Sequence, residues 1–371
     1  METSVESFIG EHKLLECIQC GVCTGSCPVS VKFNLNIRRL MRNIAFSRRI
    51  DLPPDNTLWG CTTCSTCEVR CPKGLNPVSV IVGMRGITVE EGRLAPTIRD
   101  ALESIYKHGN PWGRIRSKRS EWADGLRIKQ FSEGANLLYY VGCTPAYDPR
   151  IQDVAKSIVK SLDAAGVNFG TLGNEESCCG DPAYSLGEMG LFEMLVEDNK
   201  ALFDRYGVKY MVTASPHCYN TFKNRYGKTG FEVQHYTQYI ADLIDRGKLM
   251  LSKKIEKTVT YHDPCSLGKQ NSVYDEPRKI IENIPGVKFV ELDRSRELSL
   301  CCEGGGGRMW IDLPGERIAE MRVREAVAAG AEILATACPF CLSMLEDAVL
   351  TTGNENSLKV MDIIELVSEA I

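Results

Sequence analysis

The 371-residue chain has little of several things. Lysine and arginine number 44 against 48 acidic residues, giving a net charge of −4 and a pI near 5.9, so there is no basic excess for a nucleic-acid partner. No apolar run approaches the roughly 20 residues needed to span a bilayer. The opening METSVESFIGEHKLLE lacks both the basic and the apolar stretches of an export signal. Histidine occurs only five times and tryptophan four. Cysteine, by contrast, occurs 17 times. A chain this rich in cysteine and without an export signal is expected in the reducing cytoplasm, where thiolates bind metal and do not pair. Attachment to the inner membrane face through a partner stays open.

The cysteines fall in four groups. Cys17, Cys20, Cys23 and Cys27 precede Pro28, and Cys61, Cys64, Cys67 and Cys71 precede Pro72. This C-x2-C-x2-C-x3-C-P run is the ligand pattern of two cubane [4Fe–4S] clusters, in which the fourth cysteine of each run serves the other cluster. The expected sets are Cys17, Cys20, Cys23 and Cys71 for the first cluster, and Cys61, Cys64, Cys67 and Cys27 for the second. Between the runs, Ile37, Leu40, Met41 and Ile44 recur at helical spacing, so residues 1–95 read as a helical ferredoxin domain. Residues 96–135 read as a linker punctuated by Pro96, Gly109, Pro111, Gly113 and Gly125. Its basic cluster, Arg114, Arg116, Lys118 and Arg119, is expected on a solvated face.

From residue 136 the chain repeats itself. Cys143, Cys178–Cys179 and Ser215-Pro216-His217-Cys218 recur as Cys265, Cys301–Cys302 and Cys338-Pro339-Phe340-Cys341, each landmark displaced by 122 or 123 residues. A constant offset over several landmarks means a duplicated domain, with boundaries expected at 136–252 and 253–371. Apolar runs at Leu137–Val141, Val208–Ala214, Thr258–Tyr261 and Ile333–Ala337 read as strands. Asp153–Ala165, Leu191–Tyr206 and Glu316–Ala329 read as helices. The alternation implies parallel α/β units of a Rossmann-like kind, with the cysteines beyond the carboxyl ends of the strands and helix N-termini aimed at them.

The second repeat offers five thiols as C-x35-CC-x35-C-x2-C. Five exceeds what a cubane needs, and adjacent cysteines bind separate irons of a more open assembly. Zinc asks for four ligands, usually as two close pairs, which this spacing does not match. A disulfide is disfavoured by the compartment. Gly304–Gly307 lack the strand–GxGxxG–helix context of a dinucleotide site, and close approach of bare backbone to a cluster explains them better. His217 and His262 sit inside cysteine motifs, either to protonate a thiolate or donate to cluster sulfur, or as structural hydrogen-bonding groups.

The strings SCCGDPAYSLGE, SPHCYNTFKN, YHDPCSLG, CCEGGGG and TACPFCLSML resemble the CCG domains of heterodisulfide reductases. The whole layout resembles the HdrD polypeptide of those enzymes, or their HdrC and HdrB polypeptides fused. The resemblance implies a noncubane [4Fe–4S] cluster on Cys265, Cys301, Cys302, Cys338 and Cys341. It also implies reduction of a disulfide such as that of coenzymes M and B, or the reverse reaction, fed by a flavoprotein, a hydrogenase-type module or a membrane cytochrome b. Two departures stand out. Ser215 replaces a cysteine, leaving Cys143, Cys178, Cys179 and Cys218 in the first repeat. That repeat then holds an altered cluster, a cubane or one with Ser215 as an oxygen ligand, or none. Glu303 replaces the usual glycine after the cysteine pair, as a proton relay or a solvent-facing residue. Similar layouts serve membrane-linked glycerol-3-phosphate and lactate dehydrogenases, so electron transfer toward quinone without disulfide chemistry is the alternative.

Overall fold

The computed structural model describes residues 4–30, 33–53, 56–315 and 317–371. The ferredoxin-like part is helical. Helix Ile37–Ser47 starts where the Asn36 side chain accepts from the Arg39 amide at 2.9 Å, and it buries Ile37, Met41 and Ile44. Helix Pro77–Glu90 begins the same way, with Asn76 as its cap and proline in its first turn. Apolar residues surround it almost completely, and it is buried accordingly. Residues 96–135, expected as a linker, are packed structure. Helix Pro96–His108 buries Ile98, Leu102 and Ile105, and Trp122 lies in the core of the following domain.

Among the described residues nine strands form two parallel sheets. The first contains β1 (Lys129–Gln130), β2 (Leu137–Tyr140), β3 (Phe169–Thr171), β4 (Tyr210–Thr213) and β5 (Glu232–His235), in the order β1-β3-β2-β4-β5. The second contains β6 (Thr258–Tyr261), β7 (Lys288–Phe289), β8 (Ile333–Thr336) and β9 (Lys359–Asp362), in the order β7-β6-β8-β9. Apart from β1 the two orders are the same, and Tyr139↔Val212 in one sheet corresponds to Tyr261↔Ala335 in the other. Central strands LLYY and ILAT are buried at every residue because helices cover both faces. The helices read from the sequence appear as Gln152–Ala164, Met189–Arg205 and Ile318–Ala328; Glu316, expected to begin the last, lies outside the described residues.

A continuous apolar core joins the two repeats. Helix Gln152–Ala164 of the first packs against Ile363–Ala370 of the second, and Arg150 bridges Glu346 and Glu365 at 2.7 Å each. The ferredoxin-like part docks on both. Gly187 turns at φ +86°, and a Cβ there would stand 2.7 Å from the Arg85 carbonyl carbon and nearer still to the Gly86 amide, so bare backbone meets bare backbone. At the centre of this junction the Arg85 guanidinium, fully buried, donates to the carbonyls of Leu58, Cys61, Ser185 and Gly306 and lies over the Trp59 ring.

Candidate iron–sulfur sites

The two four-cysteine runs share a backbone. Gln19 and Gly21 in one loop, and Thr63 and Ser65 in the other, adopt positive φ at equivalent positions. Successive residues of this kind curl a chain into an anion-binding concavity. Cys17, Cys20, Cys23 and Cys71 line one cavity, and Cys20 is exposed. Cys27, Cys61, Cys64 and Cys67 gather in a second, inner group, three of them buried. Burial lifts the Cys61 thiol to about 11, although the Arg85 charge opposes the shift. Burial, followed by the nearby Cys61 and Cys64, raises Cys67 well above the ordinary thiol range. Thiols crowded away from water lose their protons readily only to a cation, which fits a metal-cluster site.

The inner loop touches the second repeat directly. Gln270 donates to the Thr63 carbonyl at 3.0 Å, and the buried Lys269 ammonium donates to Thr66 Oγ1 at 3.0 Å while lying 3.9 Å from Cys265 Sγ. Cys64 itself rests against Cys265 and Cys301. From there sulfur contacts run Cys301–Cys302, Cys302–Cys341 and Cys341–Cys338. All five second-repeat cysteines therefore form one connected group that begins at a ferredoxin-loop thiol. Mutual hydrogen bonds hold Cys64 and Cys302 well below the ordinary range and lift Cys301 well above it, because adjacent buried sulfurs cannot all ionise. The Glu303 and Gly304 amides donate to Cys301 and Cys302 at 3.3 and 3.4 Å.

The far end of this group belongs to the first repeat. His217 hydrogen-bonds Cys338, and its Nδ1 lies 3.0 Å from Asp181, which Arg225 also pairs at 2.8 Å. Burial disfavours the imidazolium, but Asp181 and then Cys338 outweigh it and raise His217 to about 10. Burial likewise works to raise Cys338, yet hydrogen bonds from Cys341 and His217 bring it down to about 6. His262 stands within 4.8 Å of Cys302 and Cys341. It is fully buried, neither ring nitrogen has a nitrogen or oxygen partner among the described residues, and burial lowers its pKa although the adjacent Cys302 thiol opposes the shift. Two orphaned nitrogens beside two thiols suit a site whose polar partner is a metal cluster.

In the first repeat Cys143, Cys178, Cys179 and Cys218 also converge, with Ser215 hydrogen-bonded to Cys218. Arg119, expected on a solvated linker face, is 2% exposed and reaches Cys143 Sγ at 3.7 Å. Glu176 pairs it at 2.6 Å and also accepts the Val141 and Gly142 amides. The other three basic residues of that cluster are exposed. Each repeat thus sets a buried cation beside its first cysteine. In the first a carboxylate neutralises it; in the second, among the described residues, Lys269 has no carboxylate partner and faces thiols.

Two further expectations change. Glu303 does not face solvent: it is 2% exposed, pairs with Arg308 at 3.1 Å and accepts the Ile318 amide at 2.6 Å. Its φ of +74° matches the +89° of Gly180, the equivalent residue in the first repeat, which explains why glycine suits that position. Gly305 and Gly306 approach the carbonyls of Thr62 and Cys61, where a Cβ would stand 2.6 and 2.5 Å away. The glycine run therefore seats the ferredoxin loop. Arg85, Lys269 and Asp181 were not singled out from the sequence. A lone arginine inside VSVIVGMRGITV was the one signal that pointed to a buried charge.

Fold and sites together define a protein of iron–sulfur type, with a helical eight-cysteine part followed by two repeated cysteine-rich α/β domains. Residues 13–75 match the 4Fe-4S dicluster domain family, and residues 137–223 and 259–346 match the cysteine-rich domain family. The chain is 32% identical, over 96% of its length and 93% of the relative's, to the HdrD polypeptide of the dihydromethanophenazine:CoB–CoM heterodisulfide reductase of Methanosarcina barkeri. It is 39% identical to the probable iron-sulfur-binding oxidoreductase FadF of Bacillus subtilis and 35% identical to the EtfAB:quinone oxidoreductase of Syntrophomonas wolfei. Those two matches cover 86% of this chain and 47% of each relative, so the chain spans about half their length. A hypothetical protein from Helicobacter pylori shares the fold, with a TM-score of 0.54 at 11% identity over 99% of this chain and 71% of that one. The chain belongs to the family of HdrD-like iron–sulfur oxidoreductases, named for that heterodisulfide reductase polypeptide. Among the described residues no helix is long and apolar enough to cross a membrane.

Proposed function

We propose that this chain takes electrons from a redox partner and delivers them to the five-cysteine site of the second repeat, where a disulfide substrate is reduced or, in reverse, formed. In this reading Cys17, Cys20, Cys23 and Cys71 hold the outer cubane cluster, and Cys61, Cys64, Cys67 and Cys27 hold the inner one. Cys265, Cys301, Cys302, Cys338 and Cys341 hold a noncubane [4Fe–4S] cluster. Once bound, these groups supply single-electron transfer and an iron able to take a sulfur ligand. The chain's own residues do the rest. Cys64, seated against Cys265 and Cys301, is the observation that carries the reading, since it joins the inner site to the terminal one. Lys269 places a positive charge where thiolates gather. His217, held by Asp181, offers an N–H to Cys338 and stands ready to give a proton to a departing thiolate.

The first repeat has four thiols and a hydroxyl in contact, which suits a fourth metal group of altered type. Counting iron on anaerobically purified protein separates the cases: about twelve atoms without a fourth cluster, about sixteen with one. The two parallel units are read as Rossmann-like, and the protein as cytoplasmic, at the inner membrane face when its partner is a membrane cytochrome. A second reading, electron transfer toward quinone without disulfide chemistry, is favoured by the relative named EtfAB:quinone oxidoreductase. Oxidising the protein with and without candidate thiols, coenzymes M and B among them, tells the two apart. A thiol-dependent paramagnetic signal supports the reductase. Its absence with every thiol, alongside intact electron transfer to a quinone, rules the reductase out.

A further inference from the structure

The outer four-cysteine cavity opens on a surface of unusual composition. Leu15, Ile18 and Val22 are 67%, 61% and 39% exposed around Cys17 and Cys20. Arg38 and Lys73 stand at the rim of the cavity. Arg42 continues the Arg38 face one helical turn on, and Arg70 precedes Cys71. Residues 13–75 hold nine lysines and arginines against four acidic residues, in a chain whose net charge is −4. Arg48 and Arg49 are paired, with Glu6 and Asp51. Arg38, Arg39, Arg42, Arg70 and Lys73 form no ion pair among the described residues. Of the described acids in this segment, Glu16, Asp51 and Glu68, Asp51 is taken by Arg49 and Glu68 is half-buried.

An apolar centre inside a rim of one charge sign is the anatomy of a transient docking surface, in which the rim steers encounter. The sign selects a negatively charged partner. An anionic bilayer fits less well than a protein. Helix Ile37–Ser47 turns Ile37, Met41 and Ile44 inward and exposes only Phe46 among its large apolar residues, so no apolar stripe lies parallel to its cations.

We propose that the mouth of the Cys17–Cys20–Cys23–Cys71 cavity docks an acidic one-electron carrier protein, with Leu15, Ile18 and Val22 at the centre and Arg38, Arg42, Arg70 and Lys73 as the steering rim. The proposal rests on the outer site holding a redox cluster. In the transfer the carrier loses one electron and the outer site gains it, and no bond is made or broken.

The probe is a reduced acidic [2Fe–2S] ferredoxin, mixed anaerobically with the intact protein in a stopped-flow instrument. The bimolecular rate should fall steeply between low salt and about 0.5 M. R42E/R70E should slow it roughly tenfold or more at low salt and flatten the salt dependence. Affinity for the oxidised ferredoxin, measured by calorimetry, should weaken in parallel. Reduction by dithionite and the iron content should stay at wild-type values. A wild-type rate indifferent to salt, or equal slowing with dithionite, overturns the docking proposal. So does binding to phosphatidylserine vesicles that the double variant abolishes while its ferredoxin rate is unchanged. Failure of dithionite to reduce the protein at all would instead sink the redox reading beneath it.

Discussion

Replacing Arg85 by methionine tests how the three parts of the molecule are joined. The guanidinium donates to the Leu58 carbonyl at 3.2 and 2.7 Å, to Cys61 at 2.7 Å, to Ser185 at 2.7 Å and to Gly306 at 3.0 Å. Two of these carbonyls belong to the ferredoxin-like part, one to the first repeat and one to the second. Methionine matches the apolar stem but leaves the Cys61, Ser185 and Gly306 carbonyls without the donor they have here, at about 1–3 kcal/mol each, while Leu58 keeps the Cys61 amide at 3.3 Å. Against this, no carboxylate pairs with Arg85 among the described residues, and burial lowers its pKa to about 10. Removing a desolvated cation therefore returns several kcal/mol. The expected net loss is about 3–5 kcal/mol, a large share of a typical domain's stability. Lysine, with three donors and the same charge, should lose roughly half as much. Hydrogen exchange should show faster opening around Leu58–Cys61, Ser185–Gly187 and Gly305–Gly307, with helix Gln152–Ala164 unaffected. If Cys61 holds a cluster, that cluster should also shift to lower potential in the methionine variant, because a fixed positive charge beside Cys61 is gone. An R85M protein with wild-type melting and exchange at those three segments would refute the reasoning.

Further outcomes follow from other junctions. Asp362 is fully buried, and burial raises its carboxyl to about 8. Its folded pKa lies above the unfolded value near 3.9, so the folded state holds a proton that the unfolded state has lost, and stability falls as pH rises between the two. The loss across pH 6–7.5 should be roughly 2 kcal/mol, and Asp362→Asn should remove that slope in urea titrations. Gly187→Ala should cost about 2–4 kcal/mol from positive φ and collision with Gly86, whereas Gly166→Ala, at φ +66° in open space, should cost about 1 kcal/mol. Comparing the two melting temperatures separates crowding from backbone strain. Ser215→Cys should raise the iron content only if position 215 faces a metal group; unchanged iron and spectra would remove it from the site.

The repeat and its strands were legible because their signals are local and periodic: apolar runs before cysteines, helices after them, and a constant offset between copies. Strands β1, β3, β5, β7 and β9 were missed because, unlike the apolar runs LLYY and ILAT, segments such as KQ, FGT, EVQH and KVMD mix polar with apolar residues or are too short to show a pattern. Cysteine identity showed where sulfur gathers, but not that Cys64 meets Cys265 across 201 positions of chain. That contact depends on Gly305, Gly306, Lys269 and Gln270, which only tertiary docking brings to the ferredoxin loop. Arg119 was misplaced for the same reason: its charge argued for solvent, while its partner Glu176 lies 57 residues away. Glu303 shows a related lesson. Its place where glycine is usual was read through its carboxylate, as a proton relay or a solvent-facing group, whereas the structure shows a positive-φ backbone whose carboxylate is held by Arg308.

The account stands most directly on the order in which the sites are reduced. Freeze-quench paramagnetic resonance after mixing with a limiting reductant should show the ferredoxin-type signals first and the second-repeat site later. In Cys302→Ser the ferredoxin-type signals should rise at the wild-type rate and then persist. A second-repeat signal that precedes the others, or ferredoxin-type signals that decay as fast in Cys302→Ser as in wild type, would contradict the path through Cys64.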